Sequence, residues 1–385
     1  MSKTVQLFFS RLLFLCIFFN LHYNSFGQDS SRLRISLLTC TPGDELYSIF
    51  GHSALRVIDS NSVTDIVYNY GTFNFDDEGF YFKFIRGKLP YYISIENFKD
   101  FKFIYQVTNR GMTEQVIDFT ASEKINIRHY LVENLKEENK YYQYDFFLDN
   151  CTTRLRDILV KNKYPEPLLP AVMPSKTRFR QAIHEYLDKG KQYWSKLGID
   201  ILLGARTDAV MTAQQQQFLP DNLMKALDKS RPPFVITSHN LYDLPASNEP
   251  ASWFTPKLIF ALLLLLVFIM GSSKKRSLQM IVKGIDGLLF FLTGLLGFIL
   301  IFMWVATDHS MTKDNYNLLW ALPTHVFIAF FINKKTAFVK KYFLFTAISL
   351  GILLLAWYFL PQQMNPALLP FVLLLLYRSA IKYME

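Results

Sequence analysis

The chain has 385 residues, 51% of them apolar, and a formal net charge of +9. That length leaves room for two or more domains, and the crowding of apolar residues into the C-terminal third argues against one soluble globule. The positive charge is a poor argument for nucleic acid, and no such partner is expected, because many of the basic residues border apolar runs as they do beside membranes.

Residues 1–27 place Lys3 and Arg11 before and within a short apolar run that ends in polar residues and Gly27. This is the pattern of a secretory signal peptide cut near Gln28. Residues 28–250 then form a soluble unit. Residues 32–39 alternate like a strand, Thr41-Pro42-Gly43-Asp44 is turn chemistry, and residues 45–50 are expected as one helical turn. Residues 52–59 and 64–71 read as two strands joined at Ser60-Asn61-Ser62. Short aromatic strands are expected at 80–85, 91–95, 103–108 and 113–119, punctuated by Gly87, Pro90 and Gly111. Thr120-Ala121-Ser122-Glu123 is a capping box, and it opens a helix with Ile127, Leu131 and Leu135 on one face. Further helices are expected at 175–187, 197–204 and 221–229. Arg231-Pro232-Pro233 and residues 245–250 read as linker.

Residues 251–385 hold about five apolar segments: 256–271, 284–307, 318–332, 342–360 and 366–380. Several are near the minimum length for a bilayer. Their connections alternate in charge. Lys274, Lys275, Arg276 and Lys283 fill the first, and Lys334, Lys335, Lys340 and Lys341 the third, while Arg378 and Lys382 follow the last segment. The second connection and the fourth lack any such excess. By the positive-inside rule the soluble unit then lies outside the cytoplasm, as the signal peptide also requires.

Only Cys40 and Cys151 remain for the soluble unit, so a disulfide framework is not expected. Cys151 stands in Tyr144-Asp145-Phe146-Phe147-Leu148-Asp149-Asn150-Cys151-Thr152-Thr153-Arg154, where a helical spacing of Leu155, Ile158 and Leu159 begins. Asp149 or Asn150 can cap that helix. Its first turn favours a thiolate and offers a backbone N–H to an oxyanion. A thiolate nucleophile needs a base and something to orient the base. His52, in Phe50-Gly51-His52-Ser53, is the candidate base. If the two strands flanking Asn61 pair, His52 lies opposite Tyr68, Asn69 or Tyr70. Asn69 is the better chemical orienter and Tyr70 the better match by parity. The competing view is a buried structural thiol with a core histidine. The polar neighbours of Cys151 weigh against that view. No metal is expected, since His52, Cys40 and Cys151 form no close ligand cluster in sequence. Arg110 and Arg154 are candidate phosphate contacts, and Asp308 and His309, on the second outer connection, candidate headgroup contacts.

The runs Leu37-Leu38-Thr39-Cys40-Thr41-Pro42-Gly43-Asp44, Phe50-Gly51-His52, Tyr68-Asn69-Tyr70-Gly71 and Tyr144 to Arg154 together resemble the Lnb-type bacterial periplasmic domain family. The His-before-Cys order is similar to permuted papain-like proteins of the NlpC and lecithin:retinol acyltransferase kind. The resemblance implies an α+β, permuted papain-like extracytoplasmic domain followed by an all-α bundle of about five transmembrane helices. It also implies a lipoprotein N-acyltransferase of the bacterial inner membrane, with no cofactor. Its partners would be a phospholipid acyl donor and a diacylated lipoprotein acceptor, and Cys151 would carry the acyl group as a thioester. The alternatives are a cell-wall cysteine amidase or endopeptidase, and a non-catalytic membrane scaffold.

Overall fold

Alternating residues in the first half of the chain build one antiparallel sheet. The computed structural model describes residues 29, 31–243 and 252–385, so the expected signal peptide and the linker at 245–250 lie outside the described residues. The strands are β1 (Leu33–Cys40), β2 (His52–Asp59), β3 (Thr64–Thr72), β4 (Pro90–Asn97), β5 (Met112–Ile117), β6 (Tyr141–Gln143) and β7 (Val235–Tyr242). They pair in the order β6-β4-β3-β2-β1-β5-β7. The helices of this half used below are α1 (Phe80–Ile85), α2 (Phe98–Val107), α3 (Ala121–Asn134), α4 (Cys151–Lys161), α5 (Phe179–Lys189), α6 (Tyr193–Leu202) and α7 (Pro220–Asp228).

Both faces of the sheet are covered. Ile35, Leu37, Leu55, Val57, Tyr68 and Tyr70 meet α3, α4 and α7 on one face. Leu38, Ala54 and Val67, of opposite parity along their strands, meet Phe101 and Tyr105 of α2 on the other. Central strands buried on both sides lose their apolar–polar alternation, and β1 is buried at seven of its eight positions.

Three local expectations are corrected. Residues 80–85 form α1 rather than a strand, and residues 103–107 belong to α2, with Thr108 as its C-cap. In α2 the i, i+4 pair Phe101 and Tyr105 turns one helical face into the core, a stronger signal than the β propensity of single aromatics. Residues 45–50 are a chain of turns without a helix. The strand β7, which closes the sheet edge against β5, was not anticipated.

In the second half, α8 (Pro256–Ser272), α9 (Arg276–Val305), α10 (Ala337–Ala356) and α11 (Leu369–Met384) pack as a helical bundle. Three segments are long and apolar enough to cross a membrane: Arg276–Val305, Ala337–Ala356 and Pro366–Met384. The 17 residues of α8 are apolar and span about 26 Å. The expected span at 318–332 is not one helix. It is a 3-10 turn, Tyr316–Leu319, followed by the six-residue helix Thr324–Ala329 beyond Pro323. This broken segment lies directly on α9. A Cβ on Gly294 would sit 2.2 Å from the nitrogen of Val326, and one on Gly297 would sit 2.1 Å from the oxygen of Ala321. Glycine thus permits backbone to meet backbone, as at close helix interfaces in membranes.

A buried polar junction joins the halves. Arg180 on α5 is fully buried and bonds Asp200, Asp208, Thr207 and the carbonyls of Leu203 and Gly204. Asp200 in turn accepts from Asn365, 2.8 Å away, and its carbonyl accepts from Asn317. The N–H of Gly204 donates to the carbonyl of Met311, at 2.9 Å.

Candidate active site

Cys151 is the first residue of α4. Its neighbour Asn150 is the N-cap: the Asn150 side chain accepts from the N–H of Thr153, and the Thr153 hydroxyl accepts from the N–H of Asn150. The Asn150 amide also donates to the carbonyls of Phe146 and Phe218. Position 150 therefore pins the loop before the helix, the helix start and the approach to α7 together. The Thr152 hydroxyl bonds Ser53, which ties α4 to β2 next to His52.

His52 opens β2 immediately after Gly51, whose φ of +78° suits glycine; a Cβ there would also lie 2.7 Å from the carbonyl of Cys40. Gly71 (φ +92°) approaches the Cβ of Cys151 from β3. Between these two glycines the imidazole and the thiol line one cavity of about 590 Å³, a volume within the usual range of small-molecule sites. His52 Nε2 meets Asn69 Oδ1 at 2.6 Å, which leaves Nδ1 for the sulfur side.

The strand register decides between the two candidate orienters. Leu55 pairs with Tyr68, and β3 is irregular between Asn69 and Thr72. Asn69 shares the His52 face. Tyr70 points into the core on the opposite face, nearly inaccessible, and its hydroxyl donates to Asn134 of α3 at 3.3 Å. The turn between β2 and β3 spans residues 60–63, one residue more than a turn centred on Asn61, and this shifts every cross-strand pair by one.

The electrostatics follow from this packing. Burial opposes a Cys151 thiolate, yet the adjacent His52, the Ser53 N–H and the Thr152 hydroxyl together bring its pKa down to about 7. Burial likewise opposes a charged His52, but Cys151 and Asn69 outweigh it and raise the imidazole above its ordinary value. Cys40, which pairs with His52 across the β1–β2 ladder, is a free, fully buried thiol whose pKa burial pushes up to about 12. The two free thiols are thus opposite in character.

The remaining sequence candidates divide. Arg110 lines the cavity, donates from Nε to the carbonyl of Thr41 at 2.9 Å and lies over the Tyr105 ring. Its buried Nη2 has no hydrogen-bond partner among the described residues. Arg154 is not brought to the cavity. It forms a two-pronged pair with Asp149, both contacts 2.7 Å, and stacks on Tyr142. Asp308 is also outside the lining; it bonds Gln143 and faces Lys88 at 4.0 Å. His309 does line the cavity, and its Nε2 bonds the carbonyls of Phe84 and Ile85 at the end of α1. Tyr91 and Tyr144 are among the lining residues that the sequence does not signal. Tyr144 stacks on Tyr91, ring centres 4.4 Å apart, and together they wall the cavity. Their separation in sequence gives no signal for this, although Tyr144 opens the Cys151 run. Among the described residues no cluster of histidine, cysteine and carboxylates could hold a metal ion.

Residues 25–173 match the family model of the Lnb N-terminal periplasmic domain, and residues 248–385 that of the Lnb transmembrane domain. The chain belongs to the Lnb family. No curated protein and no solved structure matches it. As a member of that family it is a membrane protein with an N-terminal periplasmic domain of α+β architecture and a helical region behind it. Cys151 and His52 both fall within the matched periplasmic domain, while His309 reaches the cavity from the transmembrane domain.

Proposed function

We propose that this Lnb-family protein is a lipoprotein N-acyltransferase that works through a thioester on Cys151. The observation that carries the reading is the pairing of a cysteine whose pKa is lowered to about 7 at a helix start with a histidine held by Asn69. In the first half-reaction the Cys151 thiolate attacks the ester carbonyl carbon of a phospholipid. The ester C–O bond breaks, His52 gives its proton to the departing lysophospholipid oxygen, and the acyl group stays on sulfur. In this scheme the backbone N–H of Cys151, in the first turn of α4, donates to the passing oxyanion. In the second half-reaction the α-amine of a lipidated N-terminal cysteine attacks the thioester. Neutral His52 takes the amine proton, the C–S bond breaks, and an amide and a Cys151 thiolate remain.

Water would hydrolyse the thioester, so the acceptor must meet it in a sheltered site. The buried thiol and the aromatic walls of Tyr91 and Tyr144 suit that need. Arg110, which lines the cavity, is the proposed contact for the donor phosphate. Arg154 and Asp308 have no part in this scheme.

The test uses the full chain and a phospholipid with a labelled acyl chain. Without acceptor, a hydroxylamine-labile label is expected on Cys151, and a diacylated lipopeptide should then chase it to an amide. Cys151→Ala should take up none. An unlabelled wild-type protein, normal transfer by Cys151→Ala, or cleavage of cell-wall peptide in place of acyl transfer would overturn the reading.

A further inference from the structure

The helix α1 and its flanks pose a question that the core does not answer. α1 is six residues long, four of them aromatic or isoleucine at exposed positions, and it contains no buried residue. Tyr81 is 79% exposed and Phe82 61%. The preceding loop adds Phe75, also exposed. These side chains are nevertheless organised. Phe73, Phe75, Phe80 and Phe84 form a chain of ring contacts with centres 4.8 to 6.1 Å apart. An ordered apolar patch that buries nothing marks a surface for a partner or a membrane.

Its anchorage identifies the partner. The segment is bonded to the chain that leaves the outer end of α9: the N–H of Asp308 donates to the carbonyl of Arg86 at 2.9 Å, and His309 bonds the carbonyls of Phe84 and Ile85. α9 is 30 residues long, about 45 Å, and ends at Val305. Trp253 and Phe254 are exposed just before α8, at the end that the charge alternation puts outside, where aromatic residues commonly sit. α1 is therefore held beside the end of a membrane-spanning helix, with its rings uncovered. Phe75, Phe84 and His309 also line the cavity that holds Cys151, so the exposed patch and the cavity are continuous.

We infer that residues 73–89 rest in the outer face of the membrane, and that the rings of α1 guide a lipid acyl chain from that face into the Cys151 cavity. Membrane contact follows from the anchorage alone; the entry role rests on the acyl-transfer reading. The segment holds Asp76, Asp77 and Glu78 against Lys83, Arg86 and Lys88. Such balanced charge makes apolar insertion, rather than attraction to anionic lipid, the source of binding, and salt should leave the contact intact.

A photoreactive benzophenone amino acid at position 81 or 82, in the full chain in phosphatidylcholine nanodiscs, tests the contact. Lipid adducts are expected at both positions and should persist in high salt. Position 164 is the comparison, because Tyr164 is 88% exposed and its N–H is bonded to Glu123 of α3, within the periplasmic domain. No adduct at 81 and 82, or as many at 164, would overturn the membrane contact. The double change Tyr81→Asp with Phe82→Asp tests entry. Acyl-enzyme formed from nanodisc lipid should fall about tenfold or more, while that from a short, water-soluble ester should stay within about twofold. Equal loss with both donors would overturn the entry role. Should the wild type be acylated by neither donor, the acyl-transfer reading falls, and the adducts alone decide the membrane contact.

Discussion

Cys151 ionises in a place where burial works against it, and what reverses the balance is local. His52 contributes most to the reversal, with the Ser53 N–H and Thr152 behind it. Alkylation of Cys151 by a small reagent should therefore rise with pH about a midpoint near 7, since only the thiolate reacts; Cys40, pushed up to about 12, should stay inert. His52→Ala removes the main opposing influence, so the midpoint should move up toward the ordinary value of 9.0. An unmoved midpoint would mean that the two side chains are uncoupled. Asn69→Ala should slow acyl-enzyme formation by loosening the imidazole, whereas Tyr70→Phe should leave the reaction rate intact and cost about 1 kcal/mol of stability through its lost bond to Asn134. Cys151 and His52, the proposed nucleophile and base, could be picked out from the sequence because that chemistry is carried by residue type. The orienter was not, because it depends on a one-residue register set by the hairpin, and one residue exchanges the faces of a strand.

At the scale of elements, the start of α4 is set by Asn150. Asn150→Ala removes the cap bond to Thr153 and the two amide bonds to Phe146 and Phe218. A cap is worth about 1 kcal/mol and each further bond about the same, so a loss of about 2–4 kcal/mol is expected. Thermal unfolding in detergent would register it. Asn150→Asp separates geometry from charge. It keeps the cap acceptor, gives up the amide donors and places an anion beside the thiol, so the alkylation midpoint should rise even in the folded fraction. A midpoint unchanged in Asn150→Asp would show that the helix start does not tune the sulfur. This cap could be read in advance to within one residue, Asp149 or Asn150, and the cap of Thr120 with Glu123 outright, because caps are written in adjacent residues. α1 could not be read so. Its aromatic run has high strand propensity, and no buried face imposes a helical period on it. The break at Pro323 in the expected third span escaped for a related reason. Composition alone sees an apolar run, while Pro323 interrupts it and Asn315 and Asn317 tie the stretch before it to the carbonyls at the end of α6.

Across the whole molecule, the periplasmic and membrane halves meet through backbone as much as through side chains. Asn315, on the connection after α9, bonds the carbonyls of Ile201 and Leu202, which puts that connection on the side of the periplasmic domain. A reporter fused near Asn315 should accordingly report the periplasm, and one after Lys275 the cytoplasm. The tightest contact is at Gly204, where a Cβ would lie 1.9 Å from the carbonyl oxygen of Lys313. Gly204→Ala must therefore push the 311–314 connection away, and with it the bonds from Gly204 to Met311 and from Ala205 to Asp314. His309 stands two residues before that stretch, and it bonds the end of α1 and lines the cavity. Cys151 is fixed at the start of α4 by the Asn150 cap and by the Thr152–Ser53 bond rather than by this connection. Gly204→Ala should thus leave Cys151 alkylation within about twofold of the wild type, yet lower acyl-enzyme formation from bilayer lipid about tenfold, as misplacing a substrate by an ångström can. If the two rates fall together, the junction supports the folding of the periplasmic domain as a whole. If neither falls, the cavity does not depend on the membrane half for its approach, and donor lipid must reach Cys151 by another face.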